Sequence, residues 1–263
     1  MSTTGQVSAA VAATNGSGRS IESIGLQLYT VRTLMAENVR DTLELVAAAG
    51  YNEVEFAGYF EHTPTDIRAM MDDVGLRSPS SHVSLEALQE DADRQFEIAR
   101  VLGQEYVVIP WIAPELRGDL DGYRRVAATF NGLGERAQSA GLQLAYHNHE
   151  FEFEPMGGVV PYDVLLEEAD AELVKMQLDL FWIWIGAQPA STYISQDPER
   201  FVSCHVKDGW ADGEQSIVGQ GDLDFATDFA AGSFRHYFVE NDQPEDPAAF
   251  IRASADYLKQ LTW

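Results

Sequence analysis

The amino-acid sequence predicts an α/β fold, a single (β/α)8 TIM barrel, on three observations. Short apolar, strand-like runs alternate with helical patterns from residue 24 onward, and eight such runs can be read. That alternation implies parallel strands joined by helical crossovers. The first strand-to-helix turn reads Gln27-Leu28-Tyr29-Thr30-Val31-Arg32, without the glycine-rich phosphate turn that an open doubly wound sheet usually carries there. Finally, 263 residues at 45% hydrophobic, with 13 Phe, 10 Tyr and 5 Trp, suit one barrel-sized domain with a large core and exclude a disordered or fibrous chain.

The elements follow in order. Ile24–Thr30 is the first predicted run, and a helical pattern ending at Gly50 follows it. Glu53–Gly58, Leu76–His82 and Tyr106–Pro110 are the second, third and fourth. Leu142–His147, Val174–Asp179, Phe201–His205 and Tyr237–Glu240 complete the eight. Between the fourth and fifth, Tyr123, Val126, Ala127, Phe130, Leu133 and Ala137 recur at three- and four-residue spacing, which lines one helix face. Thr63 with Pro64, Ser84, and Asp246 with Pro247 read as N-caps followed by first-turn residues. Gly50, Gly75, Gly103 and Gly141 each close a helical pattern just before a strand.

The formal charge is −25, with 17 Lys and Arg against 42 Asp and Glu. The acidic residues are spread through the helices, as in a strongly solvated surface tuned for salt. A nucleic-acid binder needs a basic face to release counterions, so no nucleic-acid partner is expected. The single cysteine, Cys204, excludes an internal disulfide and a thiolate zinc cluster. By strand alternation it points away from His205 and reads as buried packing. No apolar run reaches the roughly 18 residues of a membrane span, so no membrane partner is expected. Residues 1–20 are rich in Ser, Thr, Ala and Gly, and residues 1–23 are read as a flexible extension before the barrel of residues 24–263. The extension lacks the charged start and apolar middle of a signal peptide, which favours a cytoplasmic location. A homo-oligomer stays open.

In a barrel, the C-terminal strand ends share one mouth. Here the fifth run leads into His147-Asn148-His149-Glu150, the sixth ends at Asp179, the seventh at His205 followed by Lys207 and Asp208, and the eighth at Glu240, followed by Asn241 and Asp242. Each of these closes an apolar strand, where a lone charge is expensive. One divalent cation would compensate Asp179 and Glu240 and accept imidazole from His147 and His205. Two histidines and two carboxylates suit Mn²⁺, our first choice, or Co²⁺, Fe²⁺ or Zn²⁺, better than Ca²⁺. Any one of the four alone reads equally well as a helix cap or a surface salt bridge; four successive strand ends do not. Four residues are weaker substrate-binding candidates: Gln27 in the first turn, Glu55 on the second strand, His82 on the third and Trp111 after the fourth. Glu55 could instead hydrogen-bond a neighbouring strand, His82 could be a satisfied buried histidine, and Trp111 could be core. His62 and His236 are assigned to the surface. Val218-Gly-Gln-Gly-Asp222 could admit a substrate close to the backbone or be an ordinary loop.

With those residues in place, the chain resembles the sugar phosphate isomerase/epimerase family of xylose isomerase-like TIM barrels. The resemblance extends from Ile24 to near the C-terminus. It rests on Gly25-Leu-Gln-Leu-Tyr-Thr-Val-Arg32, Tyr146-His-Asn-His149, Leu178-Asp179, His205-Val-Lys-Asp208 and Val218-Gly-Gln-Gly221 with Glu240 beyond. It implies one metal held by a carboxylate on strand five, an aspartate on six, a histidine on seven and a glutamate on eight; the last three map to Asp179, His205 and Glu240. Strand five departs from that pattern, since His147-Asn148-His149 stands where many relatives carry glutamate. His147 then becomes the ligand. His149, Glu150, Glu152 or Glu240 would move a proton, and Lys207 would stabilise negative charge. The implied activity is metal-dependent proton abstraction next to the carbonyl of a sugar or keto-sugar, leading to isomerisation, epimerisation or β-elimination from a keto-glycoside. An endonuclease-like hydrolase and a non-catalytic sugar-binding barrel are the alternatives.

Overall fold

The computed structural model describes residues 18–263, so most of the expected extension lies outside the described residues. Within them, Arg19 exchanges two backbone hydrogen bonds with Trp263, both 3.1 Å. Its guanidinium also lies 5.4 Å from the centre of the Trp263 ring.

The barrel strands are β1 (Ile24–Gln27), β2 (Glu53–Phe56), β3 (Arg77–His82), β4 (Tyr106–Ile109), β5 (Gln143–His147), β6 (Val174–Asp179) and β7 (Phe201–Val206). A short antiparallel ribbon comes next, β8 (Asp208–Gly209) with β9 (Gln215–Ser216), and β10 (His236–Val239) is the eighth barrel strand. The eight are parallel and close in the order β1-β10-β7-β6-β5-β4-β3-β2. The chain is therefore a single (β/α)8 TIM barrel, with helices outside the sheet.

Alternation along each strand sorts side chains into two compartments. On β4, Val107 and Ile109 join the main core packed under the helices, whereas Tyr106 and Val108 meet Ala145 and Val202 in a separate cluster. The predicted helix face is buried as expected: Tyr123, Val126, Ala127, Phe130, Leu133 and Ala137 all lie inside on the helix Leu120–Ser139. Burying a side chain the size of Phe or Leu is worth roughly 1.5–3 kcal/mol, so this face, rather than intrinsic propensity, holds the helix on the sheet. Thr63, Ser84 and Asp246 cap their helices by accepting the N–H of Asp66, Ala87 and Ala249. Gly50 and Gly103 take the left-handed backbone, at φ 99° and 76°, that turns helix into strand.

Two boundaries differ from expectation in ways that matter. β1 stops at Gln27, because the Gln27 side chain accepts the N–H of Tyr29 at 3.0 Å and starts a single 3-10 turn over Leu28–Val31. β10 begins at His236, one residue earlier than expected. That places the ring inside, with Nδ1 2.8 Å from Glu53 Oε2, and corrects the surface assignment of His236. His62 is exposed, and Cys204 is fully buried.

Candidate functional site

Four strands bring four ligand-type side chains to one point. His147 and Asp179 end β5 and β6, His205 lies in β7 and Glu240 comes directly after β10. One ligand atom from each lies within 4.8 Å of the others, and all four residues are buried. Asp179 Oδ1 accepts the N–H groups of Phe181 and Trp182, at 2.9 and 2.8 Å, while Oδ2 accepts no hydrogen bond. His147 Nδ1 is also unpaired, and its Nε2 lies 4.0 Å from Asp179 Oδ2. An unsatisfied buried polar atom costs about 1–3 kcal/mol. A divalent cation held by these side chains would offset that cost, and two imidazoles with two carboxylates are a fitting donor set.

The charges of His147, Asp179 and Glu240 fit a cation as well, and His205 would release a proton on joining them. Burial, then the neighbouring His205, His149 and His82, hold His147 well below its ordinary pKa, so it is the neutral imidazole a metal needs. Burial lifts Asp179 to about 6, against the pull of Lys207. For Glu240 the effect of burial is overcome by Lys207 and His205, which hold it well below the usual carboxylate range. His205 is raised to about 10, because Glu240 and Glu55 outweigh its desolvation. Lys207, buried and raised in turn, sits 2.8 Å from Glu240, 3.1 Å from Asp242 and 3.4 Å from Asp179.

Beneath this cluster lies a polar layer that sequence reading assigned differently. Gln27 and Glu55, expected to touch substrate, are completely buried. The Glu55 carboxylate is within 2.7 Å of His205 Nε2 and accepts hydrogen bonds from Gln27 (2.7 Å), Ser80 (2.6 Å) and Gln177 (2.7 Å). The barrel itself supplies these partners, the arrangement named in the sequence analysis as the alternative for Glu55. With Nε2–H committed to Glu55, His205 turns Nδ1 toward Glu240 at 2.8 Å. His82 lies at the edge of the same layer. Its Nε2 is 2.8 Å from Gln177 Oε1, its ring stacks 5.2 Å from that of His205, and it also lines the mouth.

The mouth is a cavity of about 500 Å³ with Tyr29, Pro110 and Trp111 on its wall and His82, His147, His149 and Glu240 on its floor. Trp111 is 42% exposed, so it is not core. β5 ends at His147, yet His149 reaches the same cavity, its ring stacked between Phe151 and Trp182 at 5.5 and 6.1 Å. Burial and Lys207 push His149 down to about 3. Glu152, expected to move a proton, braces this turn: it accepts the N–H of His149 at 2.8 Å and the hydroxyl of Tyr146. Burial lifts its carboxyl to about 8, and no part of it reaches solvent.

Sequence reading missed three contributors. Asn148 Oδ1 accepts the N–H of Asp179 at 3.0 Å and locks β5 to β6 at the ligands. Trp182 holds Asp179 through its backbone, and its ring lies 5.0 Å from the Lys207 ammonium. Asp208 organises the glycine loop: the N–H groups of Gly209, Gly219 and Gly221 donate to its carboxylate at 2.9, 2.8 and 3.0 Å. The sequence signals were Asn148 directly after His147, and Asp208 ahead of the Gly219-Gln220-Gly221 segment; Trp182 left none.

A closed parallel barrel with ligand-type side chains at its C-terminal rim defines a TIM barrel whose working face is that rim. The chain belongs to the xylose isomerase-like TIM barrel family, whose sequence model matches residues 43–259. A comparison with the curated proteins gives no match. Among solved structures, a sugar phosphate isomerase/epimerase from Parabacteroides distasonis is 25% identical, covers 91% of this chain and 98% of its own, and superposes with a TM-score of 0.81. The 3-keto-D-glucoside 4-epimerase YcjR of E. coli shares the fold at 17% identity and TM-score 0.70, with 91% and 99% of the two chains covered. The IolI protein, solved with a bound zinc atom, does so at 17% and 0.70, with 89% and 95% covered.

Proposed function

We propose that this protein is a divalent-metal-dependent enzyme that moves a proton next to the carbonyl of a sugar or keto-sugar, as an isomerase or epimerase. β-elimination from a keto-glycoside begins with the same step. The observation that carries the reading is the buried His147–Asp179–His205–Glu240 set, in which Asp179 Oδ2 accepts no hydrogen bond and faces the Lys207 ammonium at 3.4 Å, opening onto a cavity that also holds His149. The names of the structural neighbours, sugar isomerases and epimerases among them, support it. Mn²⁺ is the proposed ion, with Co²⁺, Fe²⁺ and Zn²⁺ fitting the same donors. Bound there, the ion supplies Lewis acidity toward a carbonyl and its neighbouring hydroxyl.

The chain's own groups do the rest. His149, a neutral imidazole at the cavity floor, faces the substrate and takes the proton; negative charge growing on the substrate oxygen favours its imidazolium form. The C–H electron pair becomes the new C=C bond of an enediolate, and the carbonyl π pair moves to oxygen. Lys207, buried behind the cavity among Glu240, Asp242 and Asp179, keeps a positive charge beneath the site that favours the developing oxyanion. Return of the proton to the former carbonyl carbon, with the hydroxyl proton passing to the former carbonyl oxygen, isomerises the sugar; protonation of the original carbon from the opposite face epimerises it. Trp111 and Tyr29 offer flat faces for the sugar at the rim. Incubation of the Mn²⁺-loaded protein with sugars and 3-keto-sugars in D₂O should place deuterium on carbon. A reconstituted protein that exchanges no carbon-bound hydrogen with any of them would reject the proposal.

A further inference from the structure

Where TIM barrels bind phosphate, they commonly use backbone N–H groups in the loops after the seventh and eighth strands. This chain builds such a nest and fills it with its own anion. Gly209, Gly219, Gly221 and Leu223 all turn their N–H groups onto the Asp208 carboxylate, at 2.8 to 3.4 Å, and Asp208 is 1% exposed. A phosphate arriving there would find its donors taken and a negative charge in its place.

Neither wall of the mouth supplies a substitute. Among the described residues no Lys or Arg lines the cavity, whereas Glu240 and Asp242 do. Lys207 is surrounded by three carboxylates. Arg32 donates to the Tyr29 carbonyl and lies 4.0 Å above its ring; Arg117 donates to the Ile112 carbonyl and lies 3.5 Å above Phe151.

The mouth also continues. Asp242 and Gln243 line both the 500 Å³ cavity and a neighbouring groove of about 860 Å³, whose polar lining includes Glu214, Gln215, Asn241 and Glu245. Carboxylates and amides without a basic residue are partners for hydroxyl groups, not for anions. Asp242, with its side chain 33% exposed, joins the two spaces while holding Lys207 on its inner side. Together they exceed what one sugar ring fills, since roughly 300–1,000 Å³ already houses a drug-sized ligand.

We infer that the site takes an uncharged, extended glycoside, with the reacting sugar in the mouth and a second hydroxyl-rich residue in the groove, and that it discriminates against phosphorylated sugars. The inference rests on the sugar-enzyme reading above. Calorimetric titration of the Mn²⁺-loaded protein with glucose, cellobiose and glucose 6-phosphate tests it without requiring turnover. Cellobiose should bind at least 10-fold more tightly than glucose, and glucose 6-phosphate no more tightly than glucose. Ala249→Trp, which fills the groove at a position lining it, should bring the cellobiose-to-glucose ratio toward one. Tighter binding of glucose 6-phosphate than glucose, equal binding of glucose and cellobiose, or an Ala249→Trp variant with the full cellobiose advantage would each overturn it. If the binding pattern holds while no sugar exchanges hydrogen for deuterium, the proposed chemistry fails and this inference stands.

Discussion

His205 shows how one residue is set by two partners with different tasks. Glu55 fixes the ring through Nε2 at 2.7 Å and leaves Nδ1 facing Glu240. Glu55 is therefore a positioning residue, and Glu55→Gln should lower Mn²⁺ affinity about 10- to 100-fold while the circular dichroism of the fold is retained. Titration calorimetry and the visible spectrum of the Co²⁺ form would check this, and unchanged affinity would remove the role. On β5 the two histidines divide the work. His147→Ala should weaken metal binding, whereas His149→Ala should keep the metal and lose about 10²- to 10⁴-fold in turnover. Equal metal loss in both variants would sink that division. Glu152 carries a pH signature instead. Burial raises its folded pKa from 4.5 to about 8, so the folded state holds the proton more tightly than the unfolded chain. Its stabilising contribution is complete below pH 4.5 and is lost as pH rises toward 8. Glu152→Gln should accordingly flatten the fall in melting temperature between about pH 5 and 8; parallel profiles for the two proteins would contradict this.

At the scale of elements, the site depends on the segment that leaves each strand end. Asn148 ties the end of β5 to that of β6, and the turn after β6 is capped by Asp179 itself. The loop after β7 is held by a different device, the Asp208 carboxylate inside the glycine segment. A Cβ at Gly221 would overlap that carboxylate and the backbone of Gly209, neither of which is a flexible side-chain tip. Gly221→Ala should destabilise the protein by about 1–3 kcal/mol, the usual cost of overpacking a filled site, read as a lower denaturation midpoint with unchanged slope. A wild-type midpoint would mean that the loop has slack. Because Lys207 and Asp208 are adjacent, the same loop sets the depth at which the ammonium meets Glu240 and Asp242.

For the whole molecule, charge is the dominant feature. At −25 over 263 residues, mutual repulsion among surface carboxylates opposes the compact state and is screened by salt. Ion pairs outside the site, such as Arg40–Asp73 and Arg136–Asp93, are exposed at the surface and contribute little individually. Raising NaCl from about 0.01 to 1 M, over which the screening length falls from roughly 30 to 3 Å, should raise the melting temperature. A flat or falling response would show that local pairs, not net repulsion, govern stability. Among the described residues no helix is long and apolar enough to cross a membrane.

The barrel, its strand order along the chain and the strand-end positions of His147, Asp179, His205 and Glu240 were legible in the sequence, because each depends on local pattern. An apolar run with a polar terminus states both where a strand ends and what it presents. The rest was decided by closure. Glu55 and Gln177 are 122 residues apart in sequence and meet across the barrel interior, where Glu55 supports His205. Glu152 looks like any acid near the mouth until Tyr146 and the His149 N–H enclose it. His236 moves from surface to interior because β10 starts one residue early, and the glycines of the loop find Asp208 only once β8 and β9 fold back. Alternation along a strand settles which side a residue faces. Its depth in the barrel, and the partners that saturate it there, exist only after eight strands from distant parts of the chain have closed on one another.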